Sequence, residues 1–284
     1  MIKTKSLLGA MFLVQLLFFA PLSAADPKKD FIEQRFVIPG YSYFDYKEIL
    51  PAPSKSTEHG WIPSLGFEYR AADPSNTWRF ATLGQIGFGE TVYDGSVSNI
   101  VTKTVTPTID KTSNFFLTLE TSAGRAFQVG RTEWTPYVGA GVHSWNRKLG
   151  GPSPYYETYS WAYFPVGLRM HQSVNSQWEW TLDASYRIMA FGNIELDPQL
   201  FGEAINLSLG NRPGWKVSAP ITYHPASNFS ISVLPWYHYS EIGKSETKTF
   251  RVTFPGYGTG DVSIYEPAST THQYGVQAMV MLNY

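Results

Sequence analysis

The sequence predicts an all-β fold, a closed antiparallel barrel of about ten strands that spans a membrane. Aromatic residues make up 16% of the chain and charged residues also 16%, against about a quarter charged in ordinary soluble proteins. Stretches with a period of two recur along the chain, which indicates β-strands. Beyond Ala25 no stretch is long and apolar enough for a spanning helix, so a membrane protein with this sequence has to be a closed barrel.

The N-terminus indicates export. Lys3 and Lys5 precede an apolar run, Leu7–Leu22, and the small residues Ser23–Ala25 follow it. This order of charge, apolar core and small residues predicts a secretory signal peptide, because the run is shorter than the ~20 apolar residues of a membrane anchor. We therefore assign residues 1–25 to the signal peptide and residues 26–284 to one barrel domain.

The first five predicted strands follow from alternation and from β-forming residues. Arg35–Tyr46 is rich in aromatic and β-branched side chains, which favour strands. Apolar and polar side chains alternate in His59–Arg70, Thr77–Gly89 and Thr112–Phe127. Trp134–Arg147 begins with one tryptophan and has another near its end, as expected of a strand that crosses two membrane interfaces.

The last five strands complete the set. Thr158–His171 and Gln177–Ala190 form a hairpin, and the second has the clearest alternation in the chain. Gly214–Tyr223 and Phe229–Ser240 alternate around a second short turn. Ser269–Tyr284 closes the series, and its apolar face consists of Tyr274, Val276, Ala278, Val280, Leu282 and Tyr284.

The closing strand resembles the C-terminal strand of Gram-negative outer-membrane β-barrels, which ends on an aromatic residue. The resemblance implies assembly by the barrel assembly machinery through the strand ending at Tyr284, and contact with outer-membrane lipid and lipopolysaccharide. An even strand number places both termini on the periplasmic side. A misjudged segment, either Trp134–Arg147 or Gly214–Tyr223, would change the number to eight or twelve. We expect a monomer.

Short and long connections alternate along the chain, as in outer-membrane barrels with short periplasmic turns and long outer loops. The long predicted loops are Glu90–Lys111, Phe191–Pro213 and Glu241–Ala268. The net charge is −1 and there is no basic cluster, so nucleic acid is not an expected partner. No sequence motif suggests a metal ion or another cofactor. Tryptophans near strand ends predict interfacial girdles, at Trp61, Trp78, Trp134, Trp145, Trp161, Trp178, Trp215 and Trp236.

If the apolar faces meet lipid, charged side chains of the opposite faces line the lumen. Side chains nearly fill a barrel of about eight strands, and a buried charge needs a partner. We therefore expect a lumenal salt-bridge network, with a selectivity lining or a catalytic cluster as the alternatives. Its predicted members are Glu68, Arg70, Arg79, Glu120, Arg169, Glu179, Asp183, Arg187 and Lys216.

The stretch Trp236–Glu246 contains the candidates for chemistry, His238 and Ser240, which share one face of a strand. Its His-Tyr-Ser-x-x-Gly sequence resembles part of the active-site stretch of outer-membrane lipid A 3-O-deacylases, which implies a base at His238 and a nucleophile at Ser240. The other interpretation is a polar pair at the barrel rim.

The size and strand number are also similar to those of omptin surface proteases, but no Asp-x-His lies near a strand top. The favoured function is a structural or surface-interaction protein that works through its outer loops. A hydrolase and a narrow porin-like channel are the alternatives.

Overall fold

The computed structural model describes residues 32–98, 102, 104–150, 155–197, 204–226, 229–254 and 258–282. The predicted signal peptide and Tyr284 lie outside these residues. The strands are β1 (Ile32–Glu48), β2 (Ser56–Ala72), β3 (Trp78–Ser98), β4 (Val105–Arg125), β5 (Phe127–Val129), β6 (Thr132–Leu149), β7 (Tyr155–Ser173), β8 (Trp178–Asp197), β9 (Ile205–Ser208), β10 (Gly210–Asn211), β11 (Gly214–Ser218), β12 (Ile221–Ala226), β13 (Phe229–Gly243), β14 (Lys248–Phe254), β15 (Gly258–Ile264) and β16 (Ser269–Leu282).

These strands form a closed antiparallel barrel of ten wall strands, as predicted. Each long strand pairs with its neighbour in the chain, and β1 pairs with β16 to close the wall, with Tyr43 opposite Tyr274. The eighth wall position is assembled from β11 and β12, both of which pair with β8 and β13. Arg212 and Pro213 lie between β10 and β11, so the eighth wall strand is interrupted there.

The outer surface of the barrel carries the apolar side chains. Phe67 is 59% exposed, Phe88 56% and Val276 52%, whereas Met279 on the opposite face of β16 is 2% exposed. This distribution is the reverse of that in a soluble protein and fits a wall that faces lipid. None of the described residues belongs to a helix long and apolar enough to cross a membrane.

The tryptophans divide into two groups, so the girdle prediction is partly wrong. Trp61, Trp78, Trp178 and Trp215 are between 42% and 50% exposed and form part of the outer surface. Trp145 is only 2% exposed because its position on β6 points into the lumen. Two others also belong to the interior, since Trp236 alternates with outward residues of β13 and Trp161 lines an internal cavity.

The predicted long loops contain much regular structure, which corrects the loop assignment. Within Glu90–Lys111, β3 and β4 continue their pairing until Ser98 lies opposite Val105. Phe191–Pro213 contains the end of β8 and its partner β9, and Glu241–Ala268 contains the β14–β15 hairpin. The threonines and valines in these stretches favour extended backbone, and this preference outweighs the effect of their glycines and prolines.

Two buried clusters occupy the barrel interior. The smaller cluster joins Phe36 and Ile38 of β1 to Met279 and Met281 of β16. The larger cluster is aromatic and aliphatic, and its members are Phe44, Tyr46, Ile62, Phe116, Trp145, Tyr159, Met189, Ile194, Ile205, Leu207, Leu209 and Ile242. The core of this protein therefore lies inside the barrel, where it surrounds the polar groups described next.

Candidate functional site in the barrel lumen

Arg147 is the centre of a buried charge cluster in the half of the lumen from which β3 and β4 extend as a long hairpin. Its inward position follows from the alternation of β6, in which Trp145 and Arg147 share a face. The Arg147 side chain is 1% exposed, and its Nε donates to Glu58 Oε2 at 2.6 Å. Its Nη1 donates to Glu157 Oε2 at 2.8 Å and lies 3.9 Å from Glu48 Oε1. Three acidic side chains from β1, β2 and β7 thus converge on one guanidinium group.

Aromatic and neutral polar groups complete the surroundings of Arg147. The guanidinium carbon lies 5.3 Å from the ring centre of Tyr46 and 5.6 Å from that of Trp145, within the range of cation–π attraction. On the other side, Glu58 accepts hydrogen bonds from Thr91 at 2.5 Å and from Asn114 at 2.7 Å. Each buried charge therefore has more than one partner, although the Nη2 atom of Arg147 has no hydrogen-bond partner among the described residues.

The segment between β15 and β16 adds a fourth carboxyl group to this cluster. Glu266 is 5% exposed and accepts hydrogen bonds from Tyr159 Oη at 2.7 Å and from Tyr46 Oη at 3.3 Å. Its backbone N–H donates to Ser245 Oγ at 2.7 Å, so the segment is anchored just beyond the end of β13. We call Arg147, Glu48, Glu58, Glu157 and Glu266 together the Arg147 cluster.

Burial raises the pKa of the Glu266 carboxyl well above its ordinary value, and the neighbouring Glu157 and Glu48 carboxylates raise it further. The attraction of Arg147 and the hydrogen bond from Tyr159 oppose this shift without cancelling it. The cause is that a charged carboxylate loses its hydration inside the barrel. Glu266 therefore keeps its proton to a higher pH than an ordinary carboxyl group does, which reduces the negative charge of the cluster over that pH range.

A second layer of ion pairs lies deeper in the lumen. Arg187 Nη2 donates to Glu120 Oε2 at 2.5 Å, and Arg169 Nε donates to Asp183 Oδ2 at 2.8 Å. A tyrosine hydroxyl donates a hydrogen bond to the carboxylate of each pair. The Tyr163 hydroxyl donates to Glu120 at 2.8 Å, and the Tyr137 hydroxyl donates to Asp183 at 2.6 Å.

The remaining predicted network residues lie along the same wall. Arg70 Nε lies 2.9 Å from Glu68 Oε1, whereas Arg79 pairs with Glu133, a residue that the sequence analysis had not included. Glu179 lies near two histidines rather than a base of the predicted set. Lys216 has no ion pair within the described residues.

His238 and Ser240 both point inward and line one cavity with His143. Their outward neighbours are Tyr237 and Tyr239, whose rings pack against Trp215 on the outer surface. On a strand, residues two apart are separated by about 6.6 Å along the backbone. No hydrogen bond joins His238 to Ser240 in the part of the chain that the structure describes. The two side chains implied by the resemblance to deacylases therefore lie on one face of β13, but they do not form a hydrogen-bonded base–nucleophile pair.

The sequence analysis missed the Arg147 cluster because all four of its glutamates lay in predicted connections. Glu48, Glu58, Glu157 and Glu266 fell in polar segments outside the predicted strands. One signal was available, since Trp145 and Arg147 alternate with outward residues at the end of a strand. No group of three or more His, Asp or Glu side chains among the described residues is arranged to hold a metal ion.

The fold resembles solved outer-membrane barrels. The outer membrane protease OmpT from Escherichia coli superposes with a TM-score of 0.61 at 10% identity, over 90% of this chain and 97% of that one. This chain has the fold of an outer-membrane β-barrel. The translocator domain of the autotransporter NalP from Neisseria meningitidis gives a TM-score of 0.38 at 8% identity, over 97% of this chain and 96% of that one. The toluene transporter TodX from Pseudomonas putida gives 0.32 at 10% identity, over 95% and 93%.

The last two likenesses are too distant to carry an argument. No protein-family model matches the chain, and no curated protein matches it in sequence. The closed wall and its exposed apolar belt agree with a location in the bacterial outer membrane.

Proposed function

We propose that this protein is a non-conducting outer-membrane barrel that holds β-hairpins outside the membrane as an interaction surface. The observation that carries the proposal is the Arg147 cluster. Its charged side chains come from strands on different sides of the wall, and Arg147, Glu58 and Glu157 are each at most 5% exposed. An open pore at this level would hydrate these groups, whereas they are buried and bonded to one another.

Packing around the cluster supports the same function. Phe44, Trp145 and Phe116 contact one another, with ring centres 5.2 to 5.8 Å apart, and Trp145 stacks on Tyr159 at 4.7 Å. Aromatic side chains in such contact fill the cross-section of a ten-stranded barrel, which is only slightly wider than the eight-stranded barrels that side chains fill completely. Passage of a solute would require these rings and the ion pairs to separate together.

The β3–β4 hairpin provides the first part of the proposed surface. An aromatic group of Tyr43, Trp61 and Tyr274 marks the outer end of the apolar belt, with ring centres 5.4 and 5.5 Å apart. Beyond that level β3 continues from Thr91 to Ser98, and seven residue steps correspond to roughly 23 Å of strand. Paired strands of this kind give a stiffer support for binding residues than an irregular loop does.

The β14–β15 hairpin provides the second part. Its strands pair from Lys248 opposite Ile264 to Phe254 opposite Gly258. The base of the hairpin is anchored by Glu246, whose backbone N–H donates to Ser208 O at 3.2 Å. Both hairpins therefore project from the rim at which the Arg147 cluster closes the lumen.

Truncation of the β3–β4 hairpin tests the proposed function. Residues 95–108 are replaced by Asn-Gly, a sequence that favours a two-residue hairpin turn and keeps the pairing below it. Cells that display wild type or variant are compared for aggregation and for adhesion to immobilised glycans and proteins. A matched control replaces the opposite turn, Asn175–Gln177, with a Gly-containing sequence of equal length.

The proposal predicts that hairpin truncation reduces an adhesion that depends on the wild-type protein, while the opposite turn has no effect. Entry of small sugars into proteoliposomes stays at the level of protein-free vesicles for all three proteins. Adhesion that is unchanged by truncation of the β3–β4 hairpin, or sugar entry through the wild type, contradicts the proposal.

A further inference from the structure

The β14–β15 hairpin rests on the barrel and is not part of its wall. Its two strands pair with each other and with no other strand among the described residues. Residues 244–247 and 265–268 connect the hairpin to β13 and β16, and both connections lie outside regular secondary structure. Because only these two short connections hold the hairpin covalently, a change in its position breaks no pairing between wall strands.

One face of the hairpin is docked on the barrel. Phe250 and Ile264 pack against the larger buried cluster, and Val262, which lies opposite Phe250, is 9% exposed. The exposed side chains of the hairpin lie on the other face and are Thr249, Arg251, Thr253, Asp261 and Ser263. This difference between the faces indicates that the hairpin is held in place by apolar burial, which is the main favourable contribution to such packing.

Two polar contacts at the base of the hairpin are exposed. Lys248 Nζ donates to Asn206 O at 2.5 Å, and the Ser208 backbone N–H donates to Glu246 Oε1 at 3.2 Å. Water competes for exposed groups of this kind, so their net contribution is small. The buried carboxyl that anchors the hairpin connections is that of Glu266, which accepts the hydrogen bonds of two tyrosine hydroxyls.

The rest of the Arg147 cluster does not depend on Glu266. No ion pair joins Glu266 to the central guanidinium group among the described residues, and that group has other carboxylates nearby. Each tyrosine that donates to Glu266 has a second carboxylate within hydrogen-bond distance. Tyr46 Oη lies 3.3 Å from Glu48 Oε1, and Tyr159 Oη lies 3.2 Å from Glu157 Oε2. The ion pairs beneath the hairpin therefore persist when Glu266 moves away.

Titratable groups surround the Glu266 carboxyl on three strands of the wall. They are Tyr46 and Glu48 of β1, Arg147 of β6, and Glu157 and Tyr159 of β7. Arg147 is already paired with Glu157 and with Glu58 of β2. A charged Glu266 would therefore add a further negative charge beside a single cation, and it would lose its hydration as well. Ionisation favours a position in which Glu266 is in contact with water.

We propose that Glu266 is a proton-dependent latch of the β14–β15 hairpin. The hairpin is docked on the barrel when Glu266 is protonated, and it is released when this carboxyl ionises. Release exposes the apolar face formed by Phe250, Val262 and Ile264, while the wall and the ion pairs of the lumen stay in place. The latch concerns the position of the hairpin and does not require that the hairpin bind a partner.

The direction of the pH dependence follows from proton linkage. Burial, together with the Glu157 and Glu48 carboxylates, raises the pKa of Glu266 in the docked state. The docked state therefore keeps a proton that the released state gives up, so docking weakens as pH rises from the ordinary value of 4.5 toward the docked-state pKa. One proton changes the docking equilibrium by at most about 10-fold per pH unit over that range.

Thiol labelling tests the latch, because the chain contains no cysteine and one introduced thiol reports on one position. Val262→Cys places the thiol on the docked face, and the matched control Ser263→Cys places it on the exposed face of the same strand. Maleimide labelling rates of both purified barrels in phospholipid vesicles are measured from pH 5 to pH 8. The ratio of the Val262→Cys rate to the Ser263→Cys rate cancels the pH dependence of the thiol itself and reports the released fraction.

The ratio is expected to rise by about 10-fold or more between pH 5 and pH 8. Glu266→Gln, combined with each cysteine, keeps the side chain uncharged, so the ratio should stay low throughout. Glu246→Gln removes a carboxyl that is 48% exposed at the base of the hairpin and should give the wild-type rise. The compact form on unheated gels verifies that each barrel is closed.

A ratio that does not change with pH in the otherwise wild-type protein overturns the proposal. The same rise in the Glu266→Gln background also overturns it, because another group would then control the hairpin. If Glu266→Gln does not give the compact form, the pH dependence of the two cysteine variants alone decides.

Discussion

Replacement of Arg147 by methionine tests whether the Arg147 cluster holds the barrel together. Methionine fills much of the same volume but removes the charge that Glu58 and Glu157 share at 2.6 and 2.8 Å. The variant leaves carboxylates that are 0% and 5% exposed without their cation. Loss of one partner from a buried ion pair typically costs about 3–5 kcal/mol, and we expect a loss of unfolding free energy in this range.

Equilibrium unfolding in guanidinium chloride, measured by tryptophan fluorescence in phospholipid vesicles, gives this free energy. The control is Arg35→Met, which breaks an exposed pair and is expected to cost at most about 1 kcal/mol. Addition of Glu58→Gln to the Arg147 variant should restore part of the loss, with a coupling energy of about 1–3 kcal/mol. A loss below about 1 kcal/mol for Arg147→Met, or no coupling with Glu58, would refute the reasoning.

Three further predictions concern other positions. The raised pKa of Glu266 means that the folded protein keeps a proton that the unfolded chain releases, so the contribution of Glu266 to stability falls as pH rises above the ordinary value of 4.5. Glu266→Gln removes this contribution and should make the decline in stability with rising pH shallower than in the wild type, as unfolding at several pH values will show. Tyr137→Phe loses the 2.6 Å hydrogen bond to Asp183 and should lower the unfolding free energy by about 1.5 kcal/mol, measured in the same way. Gly275→Val places a Cβ atom 2.2 Å from a β1 carbonyl oxygen and should prevent barrel closure, seen as loss of the compact form on unheated gels, whereas Gly260→Val, in open space, should fold.

The wall of the barrel was predictable from the sequence because its rule is local. Lipid outside and packed side chains inside impose alternation on every strand, and β8 shows this with Tyr186 and Ile188 outward and Arg187 between them. The same rule gave the strand number. Alternation did not predict the strand ends. In the β3–β4 hairpin the regular apolar face ends, but the backbone pairing continues to Ser98.

The site was less predictable because it depends on which strands face each other across the lumen. Arg169 and Asp183 lie on neighbouring strands, and alternation placed both inside. Arg147 and Glu58 are separated by 89 residues in the chain, and their contact depends on barrel curvature and strand tilt. Alternation fixes the face of a residue, but it does not fix its height or its partner in the lumen.

Single-channel recording tests the closed lumen most directly. The purified wild-type barrel is inserted into planar lipid bilayers in 1 M salt, where a water-filled pore gives stable conductance steps. Because the Arg147 cluster and the surrounding aromatic side chains fill the lumen, we predict no stable steps above the bilayer baseline for the wild type. Arg147→Met should produce brief openings. Large and stable steps from the wild-type protein would contradict a lumen closed by this cluster.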